Sequence, residues 1–342
     1  SEWDVSKVTN MSGMFKLSEF NQPLDNWNTG NVENMSFMFY LTPFNQPLDN
    51  WNTSKVESMA YIFYYTPFNQ PLNNWDVSNV RDMTEMFIGT PFNQPLDKWN
   101  TSKVEYMEFM FSDTPFNQPL NIWDVSKVKN MSGMFANTPF NQPLDNWDTS
   151  NVTKMDEMFA DSAFNQPIGN WNTSKVENMN SMFISTPFNH SLENWDVSNV
   201  TDMISMFAAT PFNKDVSSWK ISPQADTLDM FRKSDYSYPL PTSSDKSLTS
   251  KTDTAMEKDE KNTVQATEQS TKSPIILPPA QLLDRALETA MSGNGKWLNH
   301  KSIHSPQIYG YTGKDVQNTL SGLQQVILAL NTQENQYRTN IY

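Results

Sequence analysis

The sequence contains no cysteine, which excludes disulfide bonds and thiolate metal sites but leaves the redox compartment open. Histidine is scarce, with three in 342 residues. Few residues could therefore serve as a histidine base or as histidine ligands of a metal. No apolar run approaches the ~20 residues of a membrane-spanning helix. No export signal is visible, and the opening at Ser1 without a methionine leads us to expect a preceding segment.

The net charge of −14 is unevenly placed. Residues 241–342 contain ten basic and ten acidic side chains, so the whole negative excess lies in residues 1–240. Because an acidic surface repels phosphate groups, we expect neither nucleic acid nor an anionic membrane as a partner, and no membrane insertion by this segment.

Tryptophan marks an unbroken period of 24 residues, with no insertion or deletion between copies. The ten copies begin at Trp3, Trp27, Trp51, Trp75, Trp99, Trp123, Trp147, Trp171, Trp195 and Trp219. Such repetition is typical of a solenoid, in which each unit buries its apolar side against its neighbours. We therefore assign residues 1–240 to a solenoid of ten turns.

The unit that begins at Trp51 shows the predicted local structure. Four apolar side chains between residues 56 and 63 are spaced by 3, 3 and 1 residues, which predicts a short helix. Ser54 is expected to cap its N-terminus. A short parallel strand is expected near Leu72 to Trp75. The predicted fold class is an α/β solenoid, a right-handed stack with one short strand and one short helix per turn.

Two polar rows recur with the same period. Asn69 and its equivalents are expected to form a stacked ladder that satisfies turn backbone, with a row of ligand-binding amides as the alternative. Asp76 and its equivalents, a mixture of Asp and Asn, are expected to cap turns, with a calcium-binding row as the alternative. His190 replaces a glutamine of the repeat and is interpreted as a tolerated substitution. The pair His300 and His304 lacks a third metal ligand.

Residues 116–135 read FNQPLNIWDVSKVKNMSGMF, and residues 188–207 are nearly the same. This pattern resembles the repeat of the BspA-like leucine-rich-repeat surface proteins, in the subgroup found in mycoplasma lipoproteins. The resemblance covers about residues 1–240. It implies a leucine-rich-repeat type of solenoid on a bacterial cell surface, associated with adhesion to matrix proteins or other cells, and it supplies no catalytic residues.

Aromatic residues break the repetition on the predicted outer side of the helices. They are Phe37, Tyr40, Tyr61, Tyr64, Tyr65, Tyr106 and Phe109. Exposed aromatic clusters on a solenoid indicate a binding hot spot. The alternative is that these rings pack on one another and cover a gap between neighbouring units.

Beyond the repeats, residues 241–274 have almost no large apolar side chains and are predicted to be a disordered linker. Residues 275–342 are predicted to be a small helical segment. Its second helix, about residues 314–337, has a heptad-like seam. A helical hairpin and a self-association or docking helix remain alternative interpretations of it.

These observations predict a non-enzymatic protein-binding or adhesion module with no cofactor and no metal, located at the cell surface or secreted. A host matrix or cell-surface protein is the expected ligand. The alternatives are a structural surface spacer without a specific ligand and a secreted effector that binds host proteins inside cells.

Overall fold

The computed structural model describes residues 3–243. They form a stack of ten 24-residue turns, which we call coils and number from one to ten by their tryptophans. Corresponding residues of adjacent coils are neighbours, so the ring centroids of Trp27 and Trp51 are 6.2 Å apart. The predicted repeat architecture is confirmed. The predicted helical segment 275–342, and the linker beyond residue 243, lie outside the described residues.

Seven rows of side chains point inward and form one continuous core. Phe111 shows the pattern, because its ring centroid lies 3.9 Å from that of Phe116 in the same coil. It also lies 5.7 Å from Phe87 and 5.9 Å from Phe135, in the coils on either side. An isolated coil would leave these rings in water, so each coil depends on its neighbours for burial. In coil five the inward residues are Trp99, Val104, Met107, Met110, Phe111, Phe116 and Leu120.

The helix expected between residues 54 and 63 is not formed, and the structure shows no helix anywhere in residues 3–243. An α-helix would send each backbone N–H to the carbonyl four residues earlier. Here alternate N–H groups donate to the next coil, as Met59 does to the Asp82 carbonyl at 3.0 Å. The N–H groups between them close tight turns, as Ile62 does to Met59 at 3.3 Å. The predicted apolar residues are still buried, because successive turns also bring a 3, 3, 1 spacing to one side.

Every coil contains two residues with left-handed backbone, ten and fourteen places after its tryptophan, and 17 of these 20 residues are not glycine. In coil three they are Tyr61 and Tyr65, with φ of 60° and 48°. This conformation costs a residue with a side chain ~1 kcal/mol or more. Both N–H groups donate to the next coil, to Thr84 at 2.8 Å and Ile88 at 2.9 Å. In coils one to nine this conformation accompanies the bonds between coils, and it does not depend on the local residue type.

The parallel pairing lies in a different place from the predicted one. Adjacent coils are joined by isolated bridges seven places after the tryptophan, and not by a ladder near Leu72 to Trp75. The described residues contain two strands, β1 (Lys220–Ile221) and β2 (Thr242–Ser243), which pair in parallel. Strand β2 falls in the range predicted to be a disordered linker, so the ordered stack extends to residue 243.

At the remaining corners of each coil, side-chain oxygens accept hydrogen bonds from backbone N–H groups. The Asn45 Oδ1 atom accepts the N–H of Asn69 in the next coil at 3.1 Å, and this bond recurs along the stack. The structural ladder predicted for this row is confirmed. The Asp76 carboxylate accepts the N–H of Ser78 at 3.0 Å. The residue after tryptophan is therefore the turn cap, and the serine is the residue it caps.

Candidate functional site

One side of the stack changes from coil to coil while the inward rows stay nearly uniform. It is formed by the residues seven, nine, ten, thirteen and fourteen places after each tryptophan, and we call it the variable face. In coil three these residues are Ser58, Ala60, Tyr61, Tyr64 and Tyr65. The two left-handed residues of each coil belong to this face. The backbone geometry that joins the coils thus also places the side chains that differ between them.

All seven predicted binding residues lie on the variable face, and five of them form one packed cluster in coils two and three. The rings of Phe37 and Tyr61 stack with centroids 4.5 Å apart. The rings of Tyr40 and Tyr64 stack at 4.3 Å, and Tyr65 meets Tyr64 edge-on at 4.8 Å. This part of the predicted patch is held together by its own ring contacts.

The predicted exposure is wrong for three residues of this cluster. Tyr40, Tyr64 and Tyr65 are 8% exposed or less. Tyr65 also lies over Gly89, where an added Cβ would come within 2.5 Å of the ring. The Lys16 ammonium lies 4.5 Å from the centre of the Tyr40 ring and covers it from the first coil. These three tyrosines therefore pack laterally on neighbouring coils, as the alternative interpretation expected.

The rings of coil five are set differently. Tyr106 is 39% exposed, and the Lys129 ammonium lies 5.8 Å from the centre of its ring. Phe109 is partly exposed and lies over Gly133, where any side chain would meet the ring. Neither residue joins the cluster of coils two and three through a ring contact. The seven predicted residues thus form a closed cluster and a more accessible pair.

Tyr61 and Phe109 line a groove of about 330 Å³ that crosses coils three to eight of the variable face. The rest of its lining is polar. It includes the carboxylates of Glu85, Glu108 and Asp156, together with hydroxyl and amide side chains and one lysine. The sequence prediction found the two rings and missed the carboxylates.

Hydrogen bonds fix two of the three carboxylates that line the groove. The Glu108 Oε2 atom accepts from the Thr84 hydroxyl at 2.9 Å, and its Oε1 atom accepts from the Asn130 amide at 2.5 Å. The Ser132 hydroxyl lies 2.7 Å from the Asp156 Oδ1 atom. Each of these bonds joins neighbouring coils, so the stack itself sets the position of the carboxylates.

The groove is lined by more acidic than basic side chains, and burial partly removes two of its titratable groups from water. Burial raises the pKa of the Tyr61 phenol well above its usual value, and the nearby charges of Glu85, Asp82 and Glu108 raise it further. Burial also raises the pKa of the Glu108 carboxyl, although the hydrogen bond from Thr84 opposes this change. The Tyr61 hydroxyl donates to Glu85 at 3.5 Å, which is a weak contact.

A signal for the missed residues was present in the sequence. Tyr61, Glu85 and Phe109 are 24 residues apart, and so are Thr84, Glu108 and Ser132. Since residues at this interval stack, each set had to meet on adjacent coils. The aromatic residues at these positions were predicted, and the polar residues between them were not.

Of the histidine candidates, His300 and His304 lie outside the described residues, and His190 has a structural position. The His190 Nε2 atom lies 3.0 Å from the Asn165 carbonyl, where the glutamines of other coils donate. Within residues 3–243 no group of three or more Asp, Glu, His or Cys side chains is arranged to hold a metal ion. The same residues contain no helix that could cross a membrane.

Comparison with known families gives one match, which recurs along the repeats. The family is described as "Mycoplasma protein of unknown function, DUF285", and it matches residues 1–91, 41–142, 65–162 and 136–242. The chain belongs to this family. No curated protein and no solved structure matches the sequence. The repeat character is thereby confirmed, and the relationship to BspA-like leucine-rich-repeat proteins stays a prediction.

Proposed function

We propose that this member of the mycoplasma family is a non-enzymatic protein-binding module whose partner docks on the variable face. The observation that carries the proposal is where the sequence varies. The inward rows and the asparagine ladder recur from coil to coil, whereas in coils two to nine every aromatic residue outside the inward rows lies on the variable face, and that face contains the groove. A stack serving only as a spacer has no need for a distinct face.

The residues around the groove resemble those of protein interfaces. Binding hot spots are enriched in aromatic residues surrounded by polar groups that exclude water. Tyr61 and Phe109 are partly exposed rings within a polar lining, and Tyr106 is an exposed ring on the same face. The repeating coils also provide a long continuous surface, which suits a macromolecular ligand.

The setting of the proposal comes from the resemblance to the BspA-like leucine-rich-repeat surface proteins. We place the chain at a bacterial cell surface or in the secreted fraction, with a host matrix or cell-surface protein as its ligand. A secreted effector with an intracellular protein ligand is a variant of the same binding function. The structural spacer remains the second candidate, and the self-packed rings of coils two and three favour it.

The test measures binding of the full chain to a panel of purified extracellular-matrix proteins and to biotinylated cell-surface proteins. We expect saturable binding to at least one, with a loss of about tenfold or more when Tyr61→Ser is combined with Phe109→Ser. The matched control combines Ile122→Ser with Tyr238→Ser, two residues that are 68% and 42% exposed and lie off the variable face. Equal binding by both double variants would contradict the proposal, and so would the absence of any saturable ligand.

A further inference from the structure

The groove interrupts a row of stacked rings with a carboxylate. Ten places after the tryptophan, coils three, four and five carry Tyr61, Glu85 and Phe109. One coil earlier in this row, Phe37 stacks directly on Tyr61 at 4.5 Å. Glu85 separates Tyr61 from Phe109, and Phe109 lies over Gly133 in the following coil. The space bordered by both rings and by Glu85 is therefore the groove and not a closed stack.

The charges around this space are mostly negative. Three carboxylates, Glu85, Glu108 and Asp156, line the groove, and Lys154 is its one cationic side chain. Burial and the surrounding charges hold the pKa of both Tyr61 and Glu108 above their usual values. A positive group placed here would be attracted by the carboxylates. Because the groove is partly shielded from water, this attraction is weakened less than at an open surface.

Two of the carboxylates are already fixed in position before a ligand arrives. Glu108 is held by Thr84 and Asn130, and Asp156 is held by Ser132, as described above. A carboxylate oxygen that already accepts one hydrogen bond has a second lone pair available. Groups fixed before binding lose little conformational entropy when the ligand arrives, and this raises affinity.

We infer that the groove binds a cationic side chain of a basic protein segment, with arginine preferred over lysine. The inference rests on the proposed function of the variable face and names the chemistry of its ligand. A guanidinium is planar, stacks on ring faces and donates in a fixed fork to carboxylates. Tyr61 and Phe109 offer the rings, and Glu85 and Glu108 offer the acceptors. An ammonium meets the carboxylates as a point charge and gains less from the rings.

The same features disfavour an anionic ligand. Nucleic-acid phosphates and acidic peptides would meet Glu85, Glu108 and Asp156 at short range. The net charge of −14 also attracts basic segments from a distance, which raises their rate of encounter. That general attraction acts over the whole surface, so a test has to separate it from binding in the groove.

The test uses fluorescence anisotropy with the full chain and a dye-labelled glycine-serine peptide that carries two arginines. The same peptide with two lysines, or with two citrullines, provides the comparison. Citrulline keeps the shape of arginine and removes its charge. We expect the arginine peptide to bind more tightly than the lysine peptide and about tenfold or more tighter than the citrulline peptide. Equal affinity for all three peptides would overturn the inference.

Matched variants separate the groove from the acidic surface. Glu85→Gln with Glu108→Gln removes two charges from the groove and should weaken arginine-peptide binding about tenfold. Asp25→Asn with Glu193→Gln removes two charges from exposed positions elsewhere and should weaken it less than about twofold. An equal loss in the two double variants would assign the binding to general electrostatic attraction. Thermal melting of each variant checks that it is folded.

A third variant tests the contribution of the rings. Tyr61→Leu combined with Phe109→Leu keeps apolar bulk and removes the aromatic faces. The preference for arginine over lysine should then disappear, because leucine offers no ring on which a guanidinium can stack. An undiminished preference would show that the rings do not select the ligand.

The two proposals fail in different ways. Suppose that binding of surface proteins depends on Tyr61 and Phe109, but that the affinity for the arginine peptide is unchanged in Glu85→Gln with Glu108→Gln. The cation inference is then wrong and the binding module stands. If the peptides behave as expected but no surface protein depends on the groove rings, the cation site stands and the proposed function is wrong.

Discussion

Phe109 and Phe111 lie two residues apart in coil five, and they belong to two different regions of the molecule. Phe111 points inward and is fully buried between the equivalent phenylalanines of coils four and six. Phe109 lies on the variable face, borders the groove and has no ring beneath it. The inward rows build the stack, whereas the variable face is free to change.

The backbone explains why the two regions can be so different. The residue ten places after the tryptophan has left-handed geometry in every coil, whether it is Phe, Tyr, Glu, Gly, Ser or Asp. The backbone therefore accepts different residue types at this place, although a large ring such as Phe109 requires glycine at Gly133 in the next coil. Evolution of the face can therefore proceed without loss of the stack, and this is the condition that a binding surface on a repeat protein needs.

The largest expected effect is a difference in stability between alanine variants of these two phenylalanines. Phe111→Ala should lower the free energy of unfolding by about 3–5 kcal/mol, because it opens a cavity between three coils. Phe109→Ala should cost about 1 kcal/mol, because its side chain is only partly buried. Urea unfolding followed by tryptophan fluorescence measures both. Similar costs for the two variants would show that the variable face is part of the core.

An intermediate effect tests the imposed backbone geometry. Ala209 is exposed and has a φ of 56°, so Ala209→Gly should stabilise the stack by about 1 kcal/mol through relief of strain. The neighbouring Ala208 is buried and is not among the left-handed residues. Ala208→Gly should therefore destabilise the stack by a similar amount. If both variants shift the melting temperature in the same direction, the left-handed geometry does not have the assigned energetic cost.

The smallest effect concerns the charge in the groove. Burial raises the pKa of Glu108 above its usual 4.5, so its protonation stabilises the folded state. That contribution is present below pH ~4.5 and is lost as the pH rises through the raised pKa. The melting-temperature advantage of Glu108→Gln over the natural chain should therefore shrink as the pH falls from about 7 to about 4.5.

Asp196 provides the control of opposite sign for this titration. Hydrogen bonds from Ser198 lower its pKa, so its contribution is present above its usual pKa of 3.8 and is lost as the pH falls. If Asp196→Asn melts at a lower temperature than the natural chain, this difference should shrink only in more acidic solution. If the difference in melting temperature between Glu108→Gln and the natural chain does not change with pH, this carboxyl is solvated like a surface group.

The period and the inward rows could be predicted from the sequence, because an exact repeat forces equivalent residues to stack. The helix was predicted wrongly, since the spacing of Val56, Met59 and Ile62 is shared by a helix and by successive tight turns. Sequence alone did not show that half of the N–H groups would serve the next coil. In that arrangement the N–H and C=O groups of adjacent coils pair with each other. A helix of nine residues would leave many of these backbone groups without a partner.

The candidate site was predicted in part for a related reason. Its rings were found because Tyr61 and Phe109 depart visibly from the small residues of other coils. The burial of Tyr64 and Tyr65 was left open between two interpretations, because it depends on contacts with the neighbouring coils, where Tyr64 stacks on Tyr40 and Tyr65 lies over Gly89. The carboxylates were missed because Glu85 and Glu108 look ordinary on an acidic chain, and only the register of adjacent coils brings them to the rings.

The most direct measurement replaces the groove with the side chains that other coils carry at the same place. Coils eight and nine have Ser181 and Ser205 ten places after the tryptophan, so the variant combines Tyr61→Ser, Glu85→Ser and Phe109→Ser. Its melting temperature and its binding to cell-surface and matrix proteins are measured beside those of the natural chain. We expect a melting temperature within a few degrees and the loss of protein binding. Retained binding, or a collapse of the stack, would contradict the division between a core that builds and a face that binds.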